Sequence, residues 1–412
     1  MRRELFMNNF NEYIQNLETY VMFEIARRTN ELAPELAAKS RAPILLSMGA
    51  PVDMVPQYVI DKMKEYLDDP KIHTYSTPKG EPYFIDAVIK RMKDRFNVEV
   101  TKDEVFSLIG SKEGIANLIR GLVSATPDVD KQDVIMIPDP GYASYKEMIK
   151  TAGAKAYGVC LLPENNYMPD LDKEFAKIPK TNKVKALIIN YPNNPLGAVC
   201  TKEYLEHCID FCKRNNILLM SDNAYSEIYF NPEDKPISIL ELDGAMDVAV
   251  EFHSFSKPYA MTGWRLGWVC GNKQAVSMFG KLKSVIDTGV FKAIQKAGAA
   301  LLVSKEGDEY IEKANVGIEK KLKNFVAGLK ELGWSDVEVP RATFYLWIKH
   351  PPRYKSAKEF CDDMLIKSGV VAVPGDAFGG CGEGYVRLSI VANQESLNEV
   401  IRRMKEDGFT YN

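Results

Sequence analysis

The sequence predicts an α/β fold, a mostly parallel central sheet with helices on both faces and a smaller α+β domain beside it. Three observations predict it. Between about residues 105 and 270, short apolar runs alternate with segments of helical period. Those runs are bounded by glycine or polar residues, as buried strands are. The chain has 412 residues, 46% of them hydrophobic, enough for a large core and more than one domain.

The bulk numbers also exclude function classes. The 53 basic and 56 acidic residues are well mixed, the net charge is −3, and no basic tract occurs, so no nucleic-acid partner is expected. The seven cysteines and four histidines show no metal-ligand spacing. Cys208 and Cys212 lie one helical turn apart, but no second pair completes a zinc set, so no metal is expected. The odd cysteine count and sixteen methionines suit a reducing compartment, and the expected location is cytoplasmic. No apolar run approaches the ~20 residues that span a bilayer. Met1–Arg3 is basic but no apolar stretch follows, so neither a membrane segment nor a signal peptide is expected.

In chain order, residues 5–40 carry apolar positions at helical spacing and predict one or two surface-docked helices. A short strand at 44–46 ends in Met48-Gly49-Ala50-Pro51. Gly49 allows close backbone approach to a ligand, or is an ordinary turn glycine. Helices are predicted over 55–67 and 83–95, with a polar loop, 73–80, between them carrying Tyr75 and Pro78. Residues 105–109 form a strand, and Gly110-Ser111-Lys112-Glu113-Gly114 follows directly. Ile115, Leu118, Ile119 and Leu122 then mark a helix face. Strand, glycine turn and helix start make an anion-binding geometry, because free backbone N–H groups and the positive helix end point at one spot. A purely structural turn is the alternative. The GxxxxGK[ST] pattern is absent.

The strand 134–137 runs into Pro138-Asp139-Pro140-Gly141-Tyr142, a rigid turn that presents an aromatic ring. Strands follow at 155–159 and 184–189. The second runs into Asn190-Tyr191-Pro192-Asn193-Asn194-Pro195-Leu196-Gly197, whose two prolines stiffen an amide-rich loop. Thr201 caps a helix over 202–214. The strand 217–220 ends at Ser221-Asp222, with Tyr225 three residues on. Strands 248–252 and 266–270 flank Ser254-Phe255-Ser256-Lys257 and Arg265. Helices over 295–303, 310–332 and 357–368 and strands at 342–348, 370–373 and 385–390 complete the chain, a βαβ-like pattern for the smaller domain. The glycine-rich loop 375–384 does not match GxGxxG and is given no nucleotide role.

Lys257 therefore lies at the carboxyl end of a core strand, where open α/β sheets place their ligands. A lysine is a nucleophile only when neutral. A free amine titrates near ~10.4, so neutrality at pH ~7 needs about 3 units, roughly 4–5 kcal/mol. Burial and a neighbouring cation supply part of that. Ser254, Ser256 and Arg265 add hydroxyls and a fixed cation that suit a phosphate. A surface lysine in a strand-ending loop is the plain alternative.

Taken together, the strand ends present Gly110–Lys112, Tyr142, Asn194, Asp222 with Tyr225, and Ser254, Lys257 and Arg265. In combination the YPNNPxG, SDxAY, SxSK and TGWRxGW pieces resemble the fold-type-I pyridoxal-phosphate aminotransferases, from about Pro43 to about Ile390. The resemblance implies pyridoxal 5'-phosphate joined to Lys257, which also moves the substrate proton. It implies that Asp222 pairs with the pyridine nitrogen, that Asn194 and Tyr225 bond the phenolic oxygen, and that Tyr142 stacks on the ring. Ser111, Lys112, Ser254, Ser256 and Arg265 would hold the phosphate, and Arg387 and Gly49, with Asn194, the substrate carboxylate. Tyr75 would reach the phosphate of a neighbouring subunit, which implies a homodimer with shared active sites. The implied domains are a cofactor-binding unit over 50–305 and a smaller one made of 1–49 plus 306–412.

Within the family, residues 108–115 and 284–295 resemble the LL-diaminopimelate aminotransferases, which implies transfer from LL-diaminopimelate to 2-oxoglutarate and a place in lysine synthesis. Members of that branch carry a glutamate in the Tyr75 loop, where this chain has Pro78. Asp287 suits a distal ammonium, or is a solvated turn residue. An aspartate or alanine aminotransferase of the same fold is the alternative, then a C–S lyase. The fold also serves as the effector domain of transcription regulators, which carry a DNA-binding module ahead of it; only about forty residues precede Pro43 here.

Overall fold

A computed structural model describes residues 12–15, 17, 20–51, 54–126 and 128–412. Its strands are β1 Ile44–Leu45, β2 Val105–Leu108, β3 Val134–Asp139, β4 Lys155–Cys160, β5 Val184–Ile189, β6 Leu218–Asp222, β7 Ala249–Ser254, β8 Gly267–Gly271, β9 Tyr345–Lys349, β10 Val370–Val371, β11 Val373–Pro374 and β12 Tyr385–Ser389. Seven form the main sheet in the order β2-β8-β7-β6-β5-β3-β4. All pairings are parallel except those of β8 with β2 and β7. Alternate residues of each strand enter opposite cores. Met136, Leu187 and Leu219 pack on one face, Ile135, Ile188 and Met220 on the other. Helices cover both faces, which is why the strands read as continuous apolar runs.

This topology gathers the site. Six strands, β2 to β7, run the same way and end on one side, where their loops follow. Because β8 runs the other way, its amino end lies on that same side and brings Arg265 with it. The local signals behave as their chemistry requires. Thr201 Oγ1 accepts from the Tyr204 N–H at 3.2 Å and starts the helix Lys202–Asn215. Ser304 starts the 27-residue helix Lys305–Glu331, which carries Ile311 into the large core and Ile318, Leu322 and Phe325 into the second.

The second core differs from the expected βαβ-like pattern. β11, β12 and β9 form an antiparallel sheet, and β10 instead pairs in parallel with β1. The turn between β11 and β12 is too short for a parallel crossover. Helices Ser144–Thr151, Leu171–Ala176, Lys273–Lys283 and Gln394–Glu406 have no counterpart in the sequence reading. The last of them carries Leu397, Val400, Ile401 and Met404 at i, i+3, i+4, i+7, a helical pattern that the sequence reading passed over. Residues 5–11, 16, 18 and 19 of the predicted N-terminal helices lie outside the described residues.

The cysteine reading needs correction. Cys160 and Cys381, 221 residues apart, are joined with Cα atoms 5.9 Å apart, so the scattered spacing hid a pair that only tertiary folding creates. Cys200, Cys208, Cys212, Cys270 and Cys361 are free.

Candidate active site

A cavity of about 480 Å³ opens at the carboxyl ends of the parallel strands. Its lining includes Gly49, Ser111, Lys112, Tyr142, Asn194, Asp222, Tyr225, Ser254, Ser256, Lys257, Arg265 and Arg387. Twelve of the thirteen expected site residues therefore meet in one place; Tyr75 does not. Its side chain is 86% exposed, outside this cavity. A larger cavity of about 960 Å³, lined by Tyr191, Trp334 and Tyr385, contains none of the thirteen.

The Lys257 amine donates to the Gly49 carbonyl. Burial, then the positive charges of Arg387 and Arg265, lower its pKa to about 8 against the pull of Asp222. That is most of the shift a nucleophilic amine needs. Asp222 ends β6 and is buried, and burial pushes its pKa up. Its Oδ2 accepts from the Tyr145 hydroxyl at 2.6 Å, while Oδ1 has no partner among the described residues. A buried carboxylate oxygen left unpaired implies a donor supplied from outside the chain. A protonated ring nitrogen is such a donor.

Two sets of groups flank this pair. On the anion side, Gly110 precedes the helix Ser111–Leu122 with φ 104°, and its missing side chain leaves room for the Arg265 guanidinium. Arg265 itself holds φ 56° and bonds the Thr262 carbonyl at 2.9 Å. The Ser256 N–H donates to Ser254 Oγ at 3.1 Å. Free helical N–H groups, hydroxyls and a guanidinium make a phosphate cradle. Lys112 Nζ sits 5.8 Å from the centre of the Tyr142 ring.

On the other side, Arg387 of β12 is 4% exposed. It donates to Asn194 Oδ1 at 3.0 Å and to the Ser47 carbonyl at 2.6 Å. Its guanidinium lies between the Tyr345 and Phe378 rings, 4.6 and 4.7 Å from their centres, and its Nε has no partner among the described residues. Asn194 is positioned by its own N–H bond to Asn190 Oδ1, 3.0 Å, and Asn190 also holds the Asp222 carbonyl at 2.8 Å. The Tyr225 and Tyr345 hydroxyls are 2.8 Å apart. A side chain at Gly49 would run into the Tyr345 hydroxyl.

Sequence reasoning missed Tyr20, which lines the cavity with its ring centre 5.2 Å from Lys112 Nζ, and also Asn190, Tyr145, Tyr345 and Phe378. Tyr145 opens an apolar row with Met148, Ile149 and Ala152 at i, i+3, i+4, i+7, so the helix was legible, although nothing in that row marks the tyrosine as part of a site. Asp287 does not line the cavity; it pairs with buried Lys283 at 2.7 Å and caps the Gly289 N–H at 2.8 Å. No group of three or more potential metal ligands occurs among the described residues. No helix among them is long and apolar enough to cross a membrane.

The profile of the aminotransferase class I and II family matches residues 41–404. The chain is 38% identical over 405 residues to LL-diaminopimelate aminotransferase 2 of a Nostoc species, strain PCC 7120, covering 98% of this chain and 99% of that protein. It is 39% identical over 402 residues to LL-diaminopimelate aminotransferase of Aquifex aeolicus, covering 97% and 99%. The substrate-bound BacF structure from Bacillus superposes with a TM-score of 0.89 at 30% identity, covering 97% and 98%.

Proposed function

Since the chain belongs to the class I and II aminotransferases, which work with pyridoxal phosphate, we propose that it moves an amino group from LL-diaminopimelate to 2-oxoglutarate. The observation that carries the reading is the enclosed Lys257 amine, with its pKa lowered to about 8, facing Asp222 and its unpaired Oδ1. Identity of 38–39% over nearly the full length of diaminopimelate enzymes favours that donor.

Pyridoxal 5'-phosphate, when bound, supplies an aldehyde that carries the amino group and a ring that takes up carbanion charge. Lys257 would hold it covalently and then shuttle the substrate proton at its Nζ. Asp222 Oδ1 would hold the ring N–H. Asn194 and Tyr225 would bond the phenolic oxygen, and Tyr142 would cover the ring face. Ser111, Lys112, Ser254, Ser256 and Arg265 would hold the phosphate. Arg387, with Gly49 and Asn194, would clamp the α-carboxylate; its two-pronged geometry fixes the direction of the scissile bond.

The reading includes a homodimer in the cytoplasm, with residues 50–305 as the cofactor-binding unit and 1–49 plus 306–412 as the smaller one. Tyr75, Val285, Ile286 and Phe291 are 86, 80, 48 and 40% exposed. Their loops adjoin through the Lys292–Thr74 bond, 2.7 Å, and make a patch suited to a second copy that receives Tyr75.

The test is a single-turnover half-reaction. Holoenzyme is mixed separately with LL-diaminopimelate, aspartate, alanine and glutamate, and the visible absorbance is followed. Fast bleaching by LL-diaminopimelate is expected. Much faster bleaching by aspartate would give the enzyme to that substrate instead.

A further inference from the structure

Tyr145 belongs to none of the motifs above, yet among the described residues it makes the one side-chain hydrogen bond to the Asp222 carboxylate. It is the second residue of the helix Ser144–Thr151 and is fully buried. Its hydroxyl donates to Asp222 Oδ2 at 2.6 Å, within the short range of charge-assisted bonds. The other oxygen, Oδ1, is buried and unpaired. Terminal carboxylate torsions are soft, so with the Ala224 N–H alone the Asp222 carboxylate would be less firmly oriented. Asn190 fixes the Asp222 backbone carbonyl at 2.8 Å but leaves that torsion open.

We propose that Tyr145 is a positioning residue: by occupying Oδ2 it fixes the plane of the Asp222 carboxylate, presents Oδ1 to the ring nitrogen of the cofactor, and sets how strongly that oxygen attracts the ring proton. The inference rests on the assignment of Asp222 to the ring nitrogen. Every other group facing Asp222 is differently placed. The Ala224 N–H, the His253 ring and the Lys257 amine favour its ionised form, as the Tyr145 bond does, while burial opposes it. The Tyr142 and Tyr225 hydroxyls also feel its charge. Tyr145 is the side chain among them hydrogen-bonded to it. The Tyr145 ring also meets the Tyr142 ring edge to face, centres 5.5 Å apart at 87°, so deleting the whole side chain would disturb the stacking residue too. Only the oxygen should be removed.

The test is a pH titration of the visible band of holoenzyme. In Tyr145→Phe the carboxylate loses a donor, becomes more basic and draws the ring proton toward itself. The ring is then less positive and the conjugated system keeps its other proton to higher pH, so the midpoint rises by about half a unit or more. Placing 3-fluorotyrosine at 145 keeps the ring and hydroxyl, strengthens the donor, and moves the midpoint down. In an Asp222→Asn background Tyr145→Phe has no effect on it, as coupled residues require. An unmoved midpoint in both the Phe and fluorotyrosine proteins, or the same shift in the Asp222→Asn background, overturns the inference. If Asp222→Asn alone leaves the midpoint unchanged, the assignment of Asp222 fails and the inference with it; if Asp222→Asn moves it and neither change at 145 does, the inference alone falls.

Discussion

Arg387 Nη1 donates to Asn194 Oδ1 across 3.0 Å, and this bond joins β12 of the smaller sheet to the loop that follows β5 of the larger one. In the proposed function, substrate carboxylate and cofactor would thus be read by residues that touch each other. Lysine keeps the charge but loses the planar fork that spans Asn194, the Ser47 carbonyl and two aromatic faces. Arg387→Lys should lower kcat/KM by about tenfold to hundredfold, the equivalent of one charged hydrogen bond. Steady-state kinetics with several amino acids check this. The loss should be alike for all of them, since each carries the same α-carboxylate; a loss confined to one substrate would contradict the assignment.

The Lys257 amine gives a prediction with a definite sign. Its pKa is about 8 in the folded apoprotein against 10.5 unfolded. Between those values the unfolded chain binds more protons, so this group adds stability as pH rises. Below pH 8 its enclosed charge costs up to about 3 kcal/mol. Apoprotein Lys257→Met should therefore be more stable than wild type at pH 7, with the difference shrinking between pH 8 and 10.5. Urea unfolding of both proteins across that range measures it. The same substitution should abolish the visible band of protein mixed with pyridoxal phosphate.

Much of this site was legible before folding was considered, and the reason is local. Strand-ending apolar runs place Asp222 and Lys257, proline pairs stiffen the Asn194 loop, and a glycine before a helix marks Gly110. Each signal spans only a few residues. What stayed hidden depends on partners distant in sequence. Tyr345 meets Tyr225 across 120 positions, and Tyr145 meets Asp222 across 77. Neither has a local pattern that marks it as part of a site, because a buried tyrosine looks like any other core aromatic until its hydroxyl finds an acceptor. Asp287, read as suiting a distal ammonium or as a solvated turn residue, pairs with Lys283 four residues back at the end of the preceding helix, a contact its spacing alone did not single out. The Cys160–Cys381 pair and the antiparallel arrangement of β9, β11 and β12 were likewise set by tertiary neighbours.

A buried ion cluster away from the site should be a stability determinant. Glu227 accepts from Arg91 at 2.8 Å and from Arg95 at 2.9 Å, and all three side chains are about nine-tenths buried. Its carbonyl also holds Asn315 of the long helix at 2.8 Å. Despite burial, the two arginines hold the Glu227 pKa below the usual carboxylate value. A depressed carboxylate contributes stability that is present above its unfolded pKa and lost as pH falls. Glu227→Gln leaves Arg95 without its buried counter-charge and Arg91 with only the more exposed Asp308, 2.6 Å away. The cost should be about 3–5 kcal/mol at pH 7. Denaturant unfolding at pH 7 and pH 4 checks both points, with a smaller difference expected at the lower pH.

Gly110 separates two effects that usually travel together. Its φ of 104° and ψ of 154° lie where residues with a side chain are strained, at a cost of order 1–3 kcal/mol. A methyl group there would also sit 2.5 Å from Arg265 Nη2. That guanidinium is the far end of a flexible side chain, so the clash is relieved by moving it, at the expense of the phosphate cradle. Gly110→Ala should therefore lower apoprotein stability by the strain alone, about 1–3 kcal/mol. Losing one charge-assisted contact should separately weaken pyridoxal phosphate binding by about tenfold or more. Pyridoxal, which lacks the phosphate, should bind nearly as before. Equilibrium binding of the two compounds to wild type and variant decides the matter: equal weakening of both would place the defect in the fold around Lys257 and remove Arg265 from the phosphate site.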